Sequence, residues 1–549
     1  MTAFYWAGGT ADIGAAASWL ILGTHGTPQP ATVAPGSSDA LDVDTGGLLL
    51  GSAAVATFEI NAAIAIAAST TVGSSTLIGT TAAGSVTVTG GTWTDTGLLI
   101  VADSADGALT IDAGGVVNDA GAMAVGDVGG GAGSVRIAAG GTLTTQGYQA
   151  VSEAVGGSGA VTVDGTGAVW QSSGPISVGD VGSGALTIAN GATVATTGAE
   201  ADDSGNLFIG TAPGANGLVT VASGGVLNTG PANLVVGIGG TGTLLVQGGT
   251  VLTSSAAYAT LVGALVVGAT YTPISGSVVD GTGIVTVDGA DSVIQSDGPI
   301  WVASGGSALT IENAGTVEMT MAAAALGGTD GVAIGAFGTG AVTVTGAGSL
   351  LDAGAGGISV DAGGQLVVSD GGAVTTAASL TLDAGADLSV ASGASIGIAG
   401  SLGGTGTLTV GAGGTISVAG SFSAAIGGAG GDMLTIGGGG VTITAPAVPA
   451  VASLTPANVM TADHVAFVTP AVLASASSGA SATQDWPALA VPTATEMGFP
   501  TVPDAAAATD ALAGSTPADA FGLGGAAAAV HLAAFGAAGH GDTAMLWHT

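Results

Sequence analysis

The sequence predicts an all-β fold: a right-handed parallel β-solenoid (β-helix) with rungs of about 25 residues and an irregular C-terminal tail. Three observations carry that expectation. Short apolar segments recur at a nearly constant interval. Within each segment apolar residues alternate with Thr, Ser or Asp. Glycine, 104 of 549 residues, punctuates the segments.

The recurrence is read directly from the chain. Ala160-Val161-Thr162-Val163-Asp164-Gly165 returns as Ile284-Val285-Thr286-Val287-Asp288-Gly289, with relatives around Val86, Val219 and Val342. A second element alternates with it, as in Gly107-Ala108-Leu109-Thr110-Ile111 and Gly184-Ala185-Leu186-Thr187-Ile188. Val86 lies 23 residues before Leu109, Leu109 lies 26 before Val135, and Val135 lies 26 before Val161. The interval from Val161 to Leu186 is 25, from Leu218 to Thr243 it is 25, and from Val285 to Leu309 it is 24. Longer gaps read as one rung plus a loop insertion.

Alternation with a period of two marks a strand with one buried face. Gly-Gly, Asp-Gly and Gly-x-Gly steps supply the positive φ of tight corners. A coil of about three such strands cannot bury its inner face alone, so stacking on similar coils is required. A solenoid over residues 51–445 would hold roughly 16 rungs and be on the order of 75 Å long. The handedness follows from the chirality preference of parallel crossovers. A sandwich would show hairpin turns and no fixed period; a propeller blade would need about 40 to 50 residues.

The ends differ from the middle. Residues 1–50 hold Phe4, Tyr5, Trp6 and Trp19, then a Pro-containing stretch from Pro28 to Pro35. An exposed solenoid end is an open sheet edge, so this aromatic segment is read as the N-terminal cap and first rung. Residues 51–445 form the repeat region. Residues 446–549 form a Pro/Ala-rich tail with short helices expected at 504–513 and 525–538.

Composition excludes several functions. The net charge is −36 and Arg136 is the single basic residue apart from histidines, which excludes nucleic-acid binding and disfavours anionic membranes. Gly richness alone suits a disordered chain, but 47 % apolar residues and a positive mean hydropathy oppose that. There is no Cys, so stability is expected from stacking and not from disulfides. Residues 1–22 lack the basic start and apolar core of a standard secretory signal. No stretch approaches the roughly 20 apolar residues of a membrane-spanning helix.

One set of residues carries a resemblance. Val161 to Val194 reads V-T-V-x-G-x-G-x-x-W, then V-G-D, then G-x-L-x-I-x-x-G-x-x-V, including Trp170, Val178-Gly179-Asp180 and Gly184-Ala185-Leu186-Thr187-Ile188. This resembles the β-strand repeats of bacterial autotransporter passenger domains, which are pectin-lyase-like β-solenoids at the cell surface. The start, Tyr5-Trp6-Ala7-Gly8-Gly9-Thr10, is similar to the opening rung of such passengers. The resemblance covers roughly residues 5–445. It implies a scaffold and says little about activity. No run of strands resembling a translocator barrel follows residue 445, so another export route is expected.

Solenoids of this kind also serve polysaccharide lyases and glycoside hydrolases, which need a cationic base or paired carboxylates. Arg136 alternates outward on its strand and is read as a solvated residue. Inverting hydrolysis needs two carboxylates roughly 6.5–9.5 Å apart; Asp202-Asp203 is an adjacent pair, read as a solvated loop. His25, His464, His531, His540 and His548 show no metal-ligand spacing. No catalytic residue is assigned and no cofactor is expected. Asp127 and Asp180, at equivalent places in Val-Gly-Asp-Val-Gly, are the candidates for Ca²⁺, against a turn-forming role for Asp. Trp93, Trp170 and Trp301 are the candidates for an aromatic sugar-binding strip, against core packing. The chain is thus expected to be a non-enzymatic, secreted or cell-surface scaffold or adhesin. Its expected partners are surface or matrix polysaccharides or proteins, or further copies of itself. Self-assembly into a filament or surface layer, and a carbohydrate-active enzyme, are the alternatives.

Overall fold

A computed structural model describes residues 3–421, with interruptions of which the longest are 199–204, 254–264, 272–278 and 321–330. It also describes strands 434–436, 440–443, 459–460 and 465–467. The expected helices at 504–513 and 525–538 lie outside the described residues.

The chain is a parallel β-solenoid. Each full rung contributes one strand to each of three sheets, in the same order every time. The rung from Ile176 is representative: Ile176–Val178 in the first sheet, Ser183–Ala189 in the second, Thr193–Thr196 in the third. Strands stack on the equivalent strand of the next rung with no stagger. Val86 faces Leu109, Leu109 faces Val135, Val135 faces Val161 and Val161 faces Leu186. Leu218 faces Thr243 and Val285 faces Leu309. These are the intervals of the repeats, so sequence spacing and strand register are the same quantity. The third sheet has 16 strands and extends ~70 Å along the axis. Parallel pairing continues past residue 445, to Val459–Met460 and Val465–Phe467.

The alternation explains the core. Inward positions form continuous columns of Val, Ile and Leu, such as Val101, Val125, Val151, Val178 and Ile209 in the first sheet, all without solvent exposure. Each such side chain contributes about 1.5–3 kcal/mol by leaving water. The third sheet departs from this pattern on its last inward position, which holds Asp95, Asp119, Thr145, Ser172 and Thr196 in register. Polar atoms there close the corner to the next rung: Gly97 and Gly121 donate backbone N–H bonds to Asp95 and Asp119, at 2.9 and 3.0 Å. The corner is so tight that a Cβ on Gly121 would lie 1.6 Å from the Gly97 carbonyl oxygen. Only glycine stacks there.

Long intervals arise at corners. The third-sheet strands Thr193–Thr196, Thr250–Thr253 and Thr316–Met319 are each followed by a long connection to the first-sheet strands Leu207–Ile209, Leu265–Val267 and Val332–Ile334. Ordinary rungs cross that corner in three residues, as between Ser172 and Ile176. A short antiparallel hairpin, Thr270–Tyr271 with Val279–Asp280, interrupts the next corner of one rung.

At the N-terminus, Ala3–Trp6 pairs parallel with Ala40–Val43 and antiparallel with Trp19–Leu22, which pairs antiparallel with Pro28–Pro30. Trp6 and Trp19 meet edge to face, 5.4 Å apart, and both are buried. Prolines on the outermost strand remove donors that would otherwise invite a further strand. Among the described residues the only helix is the 3₁₀ turn Ala16–Ser18, and no helix is long and apolar enough to cross a membrane.

Candidate functional site

The corner between the first and second sheets gathers the acidic candidates. After the first-sheet strands that end at Val125, Val151 and Val178 the backbone enters the left-handed region, at Gly126 (φ +75°), Ser152 (φ +71°) and Gly179 (φ +68°). That requirement is why glycine recurs in Val-Gly-Asp. The following residue then stacks on its counterpart one rung away: Asp127 N–H donates to Ala102 (2.9 Å), Glu153 N–H to Gly126 (3.1 Å) and Thr211 N–H to Gly179 (3.0 Å). Asp103, Asp127, Glu153 and Asp180 therefore occupy one corner position on four successive rungs. The two Asp candidates are brought to one face, with Glu153 between them.

Burial shapes this stack. Ser177, fully buried on the outer side of the first sheet, donates to Asp180 Oδ1 at 3.0 Å. Its oxygen lies 2.7 Å from Thr211 Oγ1, and since its one proton goes to Asp180, Thr211 is the donor there. The Tyr148 hydroxyl is buried beside Ser177 and Asp180 but makes no hydrogen bond of normal geometry. Burial pushes the Asp180 carboxyl up, against the pull of the Tyr148 and Ser177 hydroxyls. Glu153 is pushed up to about 7 by burial, with the charges of Asp127 and Asp180 adding to the shift. The carboxylates stack in a row and do not converge. Among the described residues no group of three His, Cys, Asp or Glu is placed to hold a metal ion.

A second pair of carboxylates is internal. Burial pushes the Asp95 carboxyl up to about 6, opposed by bonds from Thr76, Gly97 and Thr96. Burial pushes Asp119 up to about 8, opposed by the Gly121 N–H and reinforced by the Asp95 charge. Asp119 Oδ2 has no hydrogen-bond partner. Both groups hold protons well above the ordinary carboxylate range.

The tryptophan candidates do not form a strip. Trp93 and Trp170 have 0 % exposure because the period-2 alternation turns them into the third-sheet core column. Trp170 Nε1 donates to Thr145 Oγ1 at 3.1 Å. Trp301 alone of the three faces outward, in register between Val266 and Ala333, and meets Phe337 edge to face at 6.4 Å. Arg136 also faces outward, 51 % exposed, 3.6 Å from Asp164. Asp202, Asp203 and all five histidines lie outside the described residues.

Several residues of these clusters carry faint sequence signals. Glu153 is hidden because its rung reads Val-Ser-Glu and lacks the glycine of Val-Gly-Asp. Asp95 and Asp119 sit in phase with Trp93 and Val117, which places them inside, yet an acidic residue invites an outward reading. Phe337 stands alone in a Gly-rich turn.

No protein-family profile matches the chain, and no curated protein matches it. Among solved structures, the chain is similar to the crystal structure of the TibC-catalysed, hyper-glycosylated TibA fragment, at 15 % identity and a TM-score of 0.27, over 72 % of this chain and 99 % of that one.

Proposed function

We propose that the chain is a non-enzymatic rod, secreted or held at the bacterial cell surface, that binds extended surface or matrix polymers along its flank. The observation that supports this reading is the outer face of the second sheet. Thr87, Thr110, Arg136, Thr162, Thr187, Thr220, Leu245, Thr286, Thr310 and Thr343 follow one another in register on successive strands. Eight of these ten positions carry a part-exposed threonine hydroxyl, repeated at about the strand spacing of 4.8 Å. A rigid line of equivalent donors and acceptors suits a polymer that offers equivalent groups along its own length. Individually weak contacts then add as a multivalent set.

Cosedimentation with insoluble neutral and acidic polysaccharides and with matrix proteins tests this, using the full chain and a Thr162→Val/Thr187→Val/Thr220→Val variant. Binding that falls in the triple variant while circular dichroism stays unchanged is the expected result. Binding to no polymer, equal binding by the variant, or release of shortened sugars would overturn the reading.

A further inference from the structure

The Trp301 corner offers more than a flat flank. The outward position of the first sheet carries Phe208, Val235, Val266, Trp301 and Ala333 in register on five successive rungs. The corresponding positions on the preceding rungs are Ala124, Ala150 and Ser177. The position is apolar on earlier rungs too, at Leu77 and Ile100, and Phe208 and Ala333 are themselves buried; what sets this stretch apart is the outward tryptophan. Phe337, in the corner one rung beyond Trp301, is 61 % exposed, and its N–H is anchored to the Ala303 carbonyl at 3.2 Å. A single exposed aromatic needs no explanation. An exposed aromatic fixed at right angles (85°) to an outward tryptophan presents a preformed step with an apolar face.

Polar groups lie at the same corner of these rungs. Asp280 is exposed in the corner one rung below, close to Gly305. Thr282 donates its hydroxyl proton to the Gly305 carbonyl at 3.1 Å, leaving oxygen lone pairs to accept. Thr339 is exposed two residues after Phe337. Beneath Gly338 lies Ser304, 1 % exposed, whose hydroxyl is buried without a partner. That hydroxyl is an unsatisfied polar group inside the corner that carries Phe337.

We propose that this corner docks a pyranose ring of an uncharged polysaccharide, with the C–H face of the sugar against Trp301 and Phe337 and its hydroxyls donating to Asp280 and Thr282. The inference rests on the reading of the chain as a polymer-binding rod and names the polymer class. Charge selects the occupant: a chain of net charge −36 with a carboxylate at the rim repels acidic sugars, anionic lipid and a second copy of itself. A neutral sugar escapes that repulsion and still supplies the hydroxyl donors a carboxylate accepts.

Trp301 is more exposed than Trp6, Trp19, Trp93 and Trp170, which are all buried, and Trp486 and Trp547 are common to wild type and variants, so the emission change that disappears in Trp301→Leu reports occupancy. The experiment titrates the full chain with soluble neutral gluco-, manno- and galacto-oligosaccharides, alongside Trp301→Leu, Phe337→Ala and Asp280→Asn. Circular dichroism checks each fold. The expected result is saturable binding of one neutral series, weakened at least about tenfold in Phe337→Ala, with the emission change lost in Trp301→Leu. Equal affinity in wild type and Phe337→Ala would overturn the platform while leaving the rod reading intact. Binding of acidic sugars alone, or a concentration-dependent dimer abolished by Phe337→Ala, would also overturn it. Failure of wild type to pellet with any polymer would instead sink the reading on which it rests.

Discussion

Asp119→Asn should stabilise this protein, and increasingly so as pH rises. The Asp119 carboxyl is pushed from 3.8 to about 8 in the folded chain. A raised carboxyl value means that the folded state holds the proton more tightly than the unfolded state. The resulting cost is absent below pH 3.8, grows as pH climbs, and is complete above pH 8. At pH 7 the gap between the folded-state and the ordinary carboxyl value corresponds to about 4 kcal/mol. Asparagine keeps an acceptor for the Gly121 N–H, 3.0 Å away, and its NH₂ replaces the acid proton at the unpartnered position facing Asp95. Urea titrations followed by tryptophan emission are the assay, because Trp93 shares a strand with Asp95 and Trp170 lies on the same column. In a stacked array each rung and its neighbours set local stability, so the gain belongs to the transition these probes see. Asp42 and Glu153 also carry raised values and cancel in the comparison of the two proteins, whereas Asp95, whose charge acts on Asp119, titrates together with it and is relieved by the same substitution. Equal pH dependence of wild type and Asp119→Asn between pH 4 and 8, or a loss of stability in the variant at pH 8, would refute the argument.

Glu153→Gln should act in the same direction over a lower window. Its carboxyl rises from 4.5 to about 7, so the variant should match wild type below pH 4.5 and gain stability above pH 7, by less than the shift alone implies because the side chain is exposed and screened by solvent, read as a pH-dependent thermal midpoint. Gly121→Ala should cost about 3 kcal/mol, since the new Cβ meets the Gly97 carbonyl, whereas Gly397→Ala meets only a Thr375 methyl at 3.7 Å and should be neutral or slightly stabilising. Similar urea midpoints for the two glycine variants would contradict the packing of that corner. Arg136→Ala should change stability by less than about 1 kcal/mol, because the Asp164 pair is long and exposed; a larger loss would mean the side chain covers more than its neighbours indicate.

The rung register was legible because each inward residue must stack on a residue of the same kind. Val161 and Leu186 are 25 residues apart and they touch, and the same logic assigns Val135 and Leu309. Orientation was legible for Arg136, one residue out of phase with Val135. The same rule, applied to Trp93 and Trp170, turns them inward, and an aromatic strip including them cannot form. What stayed hidden depended on neighbours in other rungs. The row of Asp127, Glu153 and Asp180 crosses three rungs, and its middle member lacks the glycine that flags the others. The Trp301–Phe337 step joins residues on different rungs, and nothing in the spacing of the repeats marks Phe337 as its partner.

The alignment of the inter-rung hydrogen bonds with the long axis has a mechanical consequence. A load applied at the two ends pulls directly along those bonds, so they are peeled from one end and do not share the force by sliding. Each failure frees one turn of about 25 residues, ~85 Å of contour at full extension, while the remaining stack keeps its grip. Under tension the protein would lengthen in discrete steps at modest force, with the longest steps where the connections after Thr196, Thr253 and Met319 add slack. Such a stack gives way progressively under an end-to-end load and not in a single rupture.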